Sequence, residues 1–141
     1  MKIKLDPGAF MPERAYAADA GFDLRAPKGL YFYALPAFIG CAVIDTGVHV
    51  QIPEGYVGML KSRSGMNVNH GILNEGVIDS GYTGSIRVKL YNHGDKPYIV
   101  NPGDKISQLV IVPVFTPELE LVDKLEETDR GDNGFGSSGR M

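Results

Sequence analysis

Two short segments carry residue types suited to work on a phosphorylated substrate. In GVIDSGYTG, residues 76–84, Asp79 follows Val77 and Ile78 at the mouth of a glycine-bracketed turn, and Tyr82 stands three residues on. Valine and isoleucine favour a half-buried strand and an ionised carboxylate resists burial, so a turn at this point gives the carboxylate a fixed direction. Such a group can act as general base on a water held near a reacting phosphorus. Tyr82 can offer its ring face to a sugar, and it equally suits an aromatic that covers a sheet edge. In KSRSGM, residues 61–66, Arg63 supplies a planar charged fork, Ser64 a hydroxyl, and Gly65 a backbone that an oxyanion can approach closely. The set suits phosphate, at the start of a short helix, and also suits an ordinary polar turn.

Three other segments have the same flavour. In RGDNGFGSSGR, Arg130 and Arg140 bracket Ser137, Ser138 and several glycines, again donors for phosphate oxygens, and Phe135 has no core of its own to join and can stack on a flat ligand. In DAGFDLRA, Asp23 lies between Phe22 and Leu24. It fits either an exposed strand carboxylate or a group that orients water on Mg²⁺. In GDKISQL, Gln108 fits either an amide donor to phosphate or the polar face of a strand.

Positioning these groups calls for many short strands. The 141 residues suffice for one domain, and 18 glycines and 9 prolines favour strands and turns over long helices. Alternation is the dominant period: Val48, Val50 and Ile52 share one face against His49 and Gln51, and Ile86, Val88 and Leu90 alternate with Arg87, Lys89 and Tyr91. KIKL at the start alternates too, and KISQLVIVPVF reads as a more fully buried strand. Only residues 64–71 suit a short helix. The expectation is an all-β jelly roll or barrel over residues 1–116, followed by an arm and mobile tail over 117–141. In the arm Leu119 and Leu121 alternate with acids as one more strand would, and a lone apolar arm suits packing on a neighbouring subunit.

Charge and composition exclude several classes. The formal net charge is −3, with −4 carried by residues 117–141, so no general nucleic-acid or membrane surface is expected. A single cysteine, Cys41, fits a reducing compartment and reads as a buried thiol. His49, His70 and His93 lack zinc spacing. With no apolar run long enough for a bilayer, the expected location is the cytoplasm, or the host cytoplasm if the source is viral.

Taken together and in order, the five segments resemble the five motifs of the homotrimeric dUTP pyrophosphatase (dUTPase) family, from Ala20 to Arg140. The resemblance implies a β jelly roll in a threefold trimer, with sites between subunits, hydrolysing dUTP to dUMP and pyrophosphate with Mg²⁺ on the triphosphate. It implies that Asp79 activates the attacking water and that Tyr82 packs under deoxyribose. Asn74, Gly76, Val77 and Ile78 would read uracil, while Arg63, Ser64, Gly65 and Gln108 would hold phosphates. Asp23 would face metal-bound water, Phe135 would stack over uracil, and Arg130, Gly136, Ser137, Ser138 and Arg140 would close over the phosphates. Three positions depart from the family pattern. Ser62 stands where many members have proline, which loosens the turn; Asn74 precedes Asp79 by five residues instead of six; and Arg87 occupies a place that relatives fill with Lys or Met near the nucleotide. Two other readings stay open: a nucleotide-binding regulator on the same fold, and a dCTP deaminase relative. Against the latter, RVKLYN has Lys89 where such a deaminase carries its catalytic Glu.

Overall fold

The computed structural model describes residues 1–29, 31–36 and 40–133. The alternating segments form strands: β1 (Lys2–Leu5), β2 (Gly21–Arg25), β3 (Phe32–Ala34), β4 (Cys41–Asp45), β5 (Val48–Gln51) and β6 (Tyr56–Lys61). After one helix, α1 (Ser64–His70), come β7 (Ile72–Leu73), β8 (Glu75–Ile78), β9 (Arg87–Asn92), β10 (Tyr98–Val100) and β11 (Lys105–Pro113). All pairings are antiparallel. The strands make a sheet β2-β11-β6-β8, a sheet β4-β9-β7, and the pairs β1-β5 and β3-β10, which together wrap a jelly roll.

The period-two pattern explains which faces meet. Val48, Val50 and Ile52 enter the core with Ile44, Ile86, Val88, Leu90, Ile106 and Leu109. Area removed from water at about 25 cal/mol per Å² makes this contiguous cluster the main stabilising term. The same alternation overturns the buried-thiol expectation for Cys41. On β4 the core positions fall to Ala42 and Ile44, which leaves Cys41 exposed with Val43 on the outer face. The helix forms where expected and ends at Gly71, whose φ of +66° is left-handed and admits the C-terminal turn without a Cβ penalty.

Among the described residues no strand follows Pro113. Leu119 and Leu121 were expected to continue the alternation, yet they are fully exposed, as is most of Phe115 and Leu125. A strand needs a ladder partner, and a single chain offers none there. No described helix is long and apolar enough to cross a membrane.

The turn that carries Tyr82 is tethered to this scaffold by His49. The ring's Nδ1 lies 2.9 Å from the Thr83 carbonyl oxygen and its Nε2 lies 2.9 Å from Asp6 Oδ2. Both neighbours are acceptors, so both ring nitrogens donate only in the imidazolium form. Accordingly the Asp6 hydrogen bond, then the Thr83 carbonyl, raise the His49 pKa against burial and nearby Lys4. The same hydrogen bond, helped by Lys4 at 3.4 Å, lowers that of Asp6. A raised imidazole stabilises fully below its unfolded pKa and loses that contribution as pH rises through the folded value. A lowered carboxylate does the reverse, losing its contribution as pH falls through its folded value. Wild type should therefore lose its melting-temperature advantage over His49→Gln as pH climbs above the ordinary imidazole value of 6.5. An advantage independent of pH between 5 and 9 would contradict the tether's protonation state.

Candidate active site

The hairpin segment builds a cup. Val77, Ile78, Asp79, Tyr82 and Arg87 line a cavity of 220 Å³. β8 supplies its floor because Ile78 is buried beneath it, while Val77 on the opposite face is exposed. The strand lies at the edge of its sheet, paired only to β6, so the outer backbone N–H and C=O groups of residues 75–78 face away from the ladder. The Tyr82 amide donates to the Asp79 carbonyl at 3.0 Å and closes the turn. Asp79 itself is exposed, and among the described residues its carboxylate has no hydrogen-bond or ionic partner.

Tyr82 is held by two contacts. Its hydroxyl donates to the Ser85 carbonyl at 2.9 Å. Its ring lies across Gly84, where any Cβ would strike the phenol oxygen and Cζ. A side chain at residue 84 would thus evict the ring from the cup wall. Arg87 is braced from behind: its Nε donates to Asp45 Oδ2 at 3.4 Å. Asp45 also accepts from the Ser85 hydroxyl and from the Gly47 amide, the latter at 3.1 Å. The Ser85 hydroxyl above all, then Gly47 and Arg87, lower the Asp45 pKa and keep it ionised. Sequence reasoning missed Asp45, because nothing local shows that β4 runs beside β9.

A second cluster lies at the other end of the same sheet. Asp23 on β2 is only 7% exposed. Its Oδ1 accepts from Arg63 Nε at 3.0 Å and its Oδ2 from Lys105 Nζ at 2.6 Å. The exposed-carboxylate reading gives way to a buried, doubly paired one. The reason is that the strand is covered: Glu13 bridges to Asp23, and the Arg14 guanidinium lies 3.9 Å from the Phe22 ring centre. A carboxylate taken from water needs such partners. Lys105 was not among the expected residues; its pairing with Asp23 depends on the β2–β11 register. Arg63 is the extended residue just before α1, and no side-chain hydrogen bond caps that helix start, where Ser64 and Gly65 are exposed. Gln108, at the centre of the row Asp23–Gln108–Lys61, donates weakly to the Ser62 carbonyl at 3.4 Å.

The two clusters are far apart. Gly58 of β6 is in register with Ile78, Asp79 lies one residue beyond Ile78, and Arg63 lies five residues beyond Gly58 in the opposite direction. At about 3.3 Å per extended residue the separation is about 20 Å. One chain holds a 220 Å³ cup at one end of the sheet and a net-cationic cluster of Asp23, Arg63 and Lys105 at the other.

The dUTPase family model matches residues 8–139. The chain belongs to the dUTPase family. A deoxyuridine 5'-triphosphate nucleotidohydrolase of Syntrophotalea carbinolica is 40% identical, with 99% of this chain and 96% of the relative covered. The dUTPase of Staphylococcus bacteriophage 80alpha, solved with dUPNHPP, superposes with a TM-score of 0.87 at 36% identity, covering 98% of this chain and 97% of that one. A D95N dUTPase of S. aureus phage phi11, described as coordinating a structural Mg(II) ion, superposes with a TM-score of 0.78 at 34% identity, covering 89% and 98%.

Within that family frame the structure brings together Val77, Ile78, Asp79, Tyr82 and Arg87 in one cluster, and Asp23, Arg63 and Gln108 in the other. Asn74 departs from the base-reading expectation. It is 5% exposed and its side chain points inward, with Nδ2 donating to the Ile106 carbonyl at 3.1 Å and Oδ1 accepting from Ser107 Oγ at 2.7 Å. The side chain is thus engaged with β11 inside the chain rather than presented at the cup. Arg130 is described and exposed, its Nε donating to the Asn133 carbonyl at 3.1 Å. Phe135, Gly136, Ser137, Ser138 and Arg140 lie outside the described residues. Lys89, the position that would be acidic in a deaminase, is exposed on β9 with its ammonium 4.9 Å from the Tyr91 ring centre. Among the described residues no three His, Cys, Asp or Glu side chains cluster as a metal cage.

Proposed function

We propose that this chain hydrolyses dUTP to dUMP and pyrophosphate, at sites that two copies complete and a third chain's tail covers in a homotrimer. The observation that carries this reading is Asp79, unpaired among the described residues on the rim of a nucleoside-sized cup. An edge strand's alternating C=O and N–H groups complement uracil, which offers an N3–H donor between two carbonyl acceptors. Cytosine, with an acceptor at N3 and an amino donor at C4, mismatches the same edge and leaves polar groups unpaired. Tyr82 lies under the deoxyribose and leaves no room for a 2′-hydroxyl.

Asp79 accepts a proton from water as the water oxygen bonds to the α-phosphorus; the bond from that phosphorus to the α,β-bridging oxygen breaks, and pyrophosphate leaves. Arg63, Ser64 and Gln108, with Lys105, hold the phosphates from the partner copy's cluster. A Mg²⁺ brought with the triphosphate would be faced, through water, by Asp23 once Arg63 and Lys105 turn to phosphate oxygens. Such an ion offsets phosphate charge. The tail with Arg130, Phe135, Gly136, Ser137, Ser138 and Arg140 would close over the bound nucleotide and exclude bulk water. A single cysteine fits a cytoplasmic location.

The deciding measurement is pyrophosphate release from dUTP, dTTP, dCTP and UTP in parallel, with and without Mg²⁺. Turnover of dUTP at least 10²-fold above the others, reduced by chelation, is expected from loss of buried hydrogen bonds with the wrong base. Ammonia release from dCTP would overturn the reading in favour of deamination; nucleotide binding without turnover would favour the regulator.

A further inference from the structure

The place where β6 ends contains a buried polar cluster that the reaction as described leaves unused. Backbone pairing of β6 with β8 stops at Lys61–Glu75. One residue further, the Ser62 hydroxyl takes over: its Oγ accepts from the Asn74 amide at 2.8 Å and donates to the Asn74 carbonyl at 2.9 Å. A side chain thus makes both bonds of one additional ladder rung. From the same residue the Asn74 carboxamide reaches β11, donating to the Ile106 carbonyl at 3.1 Å and accepting from Ser107 Oγ at 2.7 Å. Ser107 is fully buried, and no buried side-chain polar atom among the described residues lacks a partner. Gln108 adds its amide to the Ser62 carbonyl at 3.4 Å. The turn expected to be loosened by Ser62 is therefore gripped on both sides, immediately before Arg63.

We propose that Asn74, acting through Ser62 and with Ser107, is a positioning residue for the phosphate-binding turn at residues 62–65. The inference rests on the assignment of Arg63 and Ser64 to phosphate made above. Its physical content is rigidity. Arg63 must give up part of its pairing to Asp23 when phosphate arrives, so its own ion pair cannot keep the turn in place during binding. The Ser62–Asn74–Ser107 bonds do not involve the ligand and persist through that exchange. Buried and mutually satisfied, they leave the turn no alternative of equal energy, because any shift strands a donor or acceptor away from water. A donor array held to a fraction of an ångström binds an anion at lower ordering cost than one that must be assembled on it.

The test separates the two ends of the substrate. Wild type, Asn74→Ala and Ser107→Ala are compared for inhibition by pyrophosphate, affinity for deoxyuridine, the dUTP-to-dCTP turnover ratio, kcat and KM, with thermal unfolding recorded alongside. Asn74→Ala should weaken pyrophosphate binding at least tenfold and raise KM for dUTP, while deoxyuridine affinity and the dUTP-to-dCTP ratio stay within twofold. Ser107→Ala should do the same to a smaller degree, and the double variant should be no worse than Asn74→Ala alone. Lost deoxyuridine affinity or base discrimination would return Asn74 to base reading and overturn the proposal; so would unchanged pyrophosphate binding in either variant. Should Asn74→Ala not fold, Ser107→Ala alone decides on the same readouts. A wild type that neither binds pyrophosphate nor turns over dUTP would instead remove the dUTPase reading itself.

Discussion

Asp79→Asn should bind dUTP within about tenfold of wild type and lose about 10³-fold in kcat, within the range general-base catalysis contributes. The substitution is isosteric and the carboxylate has no partner among the described residues, so nothing in the described fold depends on the lost charge. The turn is closed by backbone, through the Tyr82 amide at 3.0 Å from the Asp79 carbonyl, and is anchored by buried Ile78. Removing a negative charge beside a triphosphate also costs no affinity. What disappears is the acceptor for the water's proton as the water attacks phosphorus. Steady-state pyrophosphate release and equilibrium dUTP binding on the same preparation check both halves, with melting temperature as the control for fold. A kcat within tenfold of wild type would remove Asp79 as the base and leave the cup as a binding site only.

Two inactive variants should rescue one another. Asp79→Asn chains carry an intact Arg63 cluster, and Arg63→Ala chains carry an intact cup. With the two about 20 Å apart along one sheet, the proposed site draws them from different copies. Co-refolding equal amounts should therefore yield roughly a quarter of wild-type activity, the fraction of random cup and cluster pairings in which both are intact. Each variant alone stays at background, so the expected rise is about 10² or more above the mean of the two. Simple mixing without exchange of subunits should give no rise, which separates recombination from additive residual activity. If co-refolded material remains at the average of the two parents while sizing shows mixed assemblies, each chain has its own complete site and the intersubunit arrangement is wrong.

The strands and the hairpin turn were legible because they obey local rules. Period-two alternation at Val48, Val50 and Ile52 and at Ile86, Val88 and Leu90 specifies a core face, and GVIDSGYTG places Asp79 and Tyr82 on one turn whatever surrounds them. Other features depend on which distant segments meet. Asp23 lies between apolar residues and read as an exposed acid or a metal-water ligand; that Arg63 and Lys105 converge on it is decided by the register of β11 against β2 and β6. Asn74 lies between two short strands, where no periodicity says which way a side chain points, and its inward turn is set by Ile106 and Ser107. Asp45 and the Asp6–His49 pair were invisible for the same reason. Ser62 read as a loosening of its turn because a hydroxyl's effect depends on what it can reach, here both backbone groups of Asn74.

The strip after Pro113, with Phe115, Leu119, Leu121 and Leu125 facing water, also bears on how the protein is made. Translation proceeds at about 5–20 residues per second, and every core strand leaves the ribosome before that strip does. Phe115 follows Val100, the end of β10, by fifteen residues, or about 1–3 s at that rate, so the greasy ribbon is made after ten of the eleven described strands rather than among them. Placed between early strands instead, the same ribbon would compete for their ladders during synthesis. Its position in the chain order separates it in time from the strands it could otherwise invade.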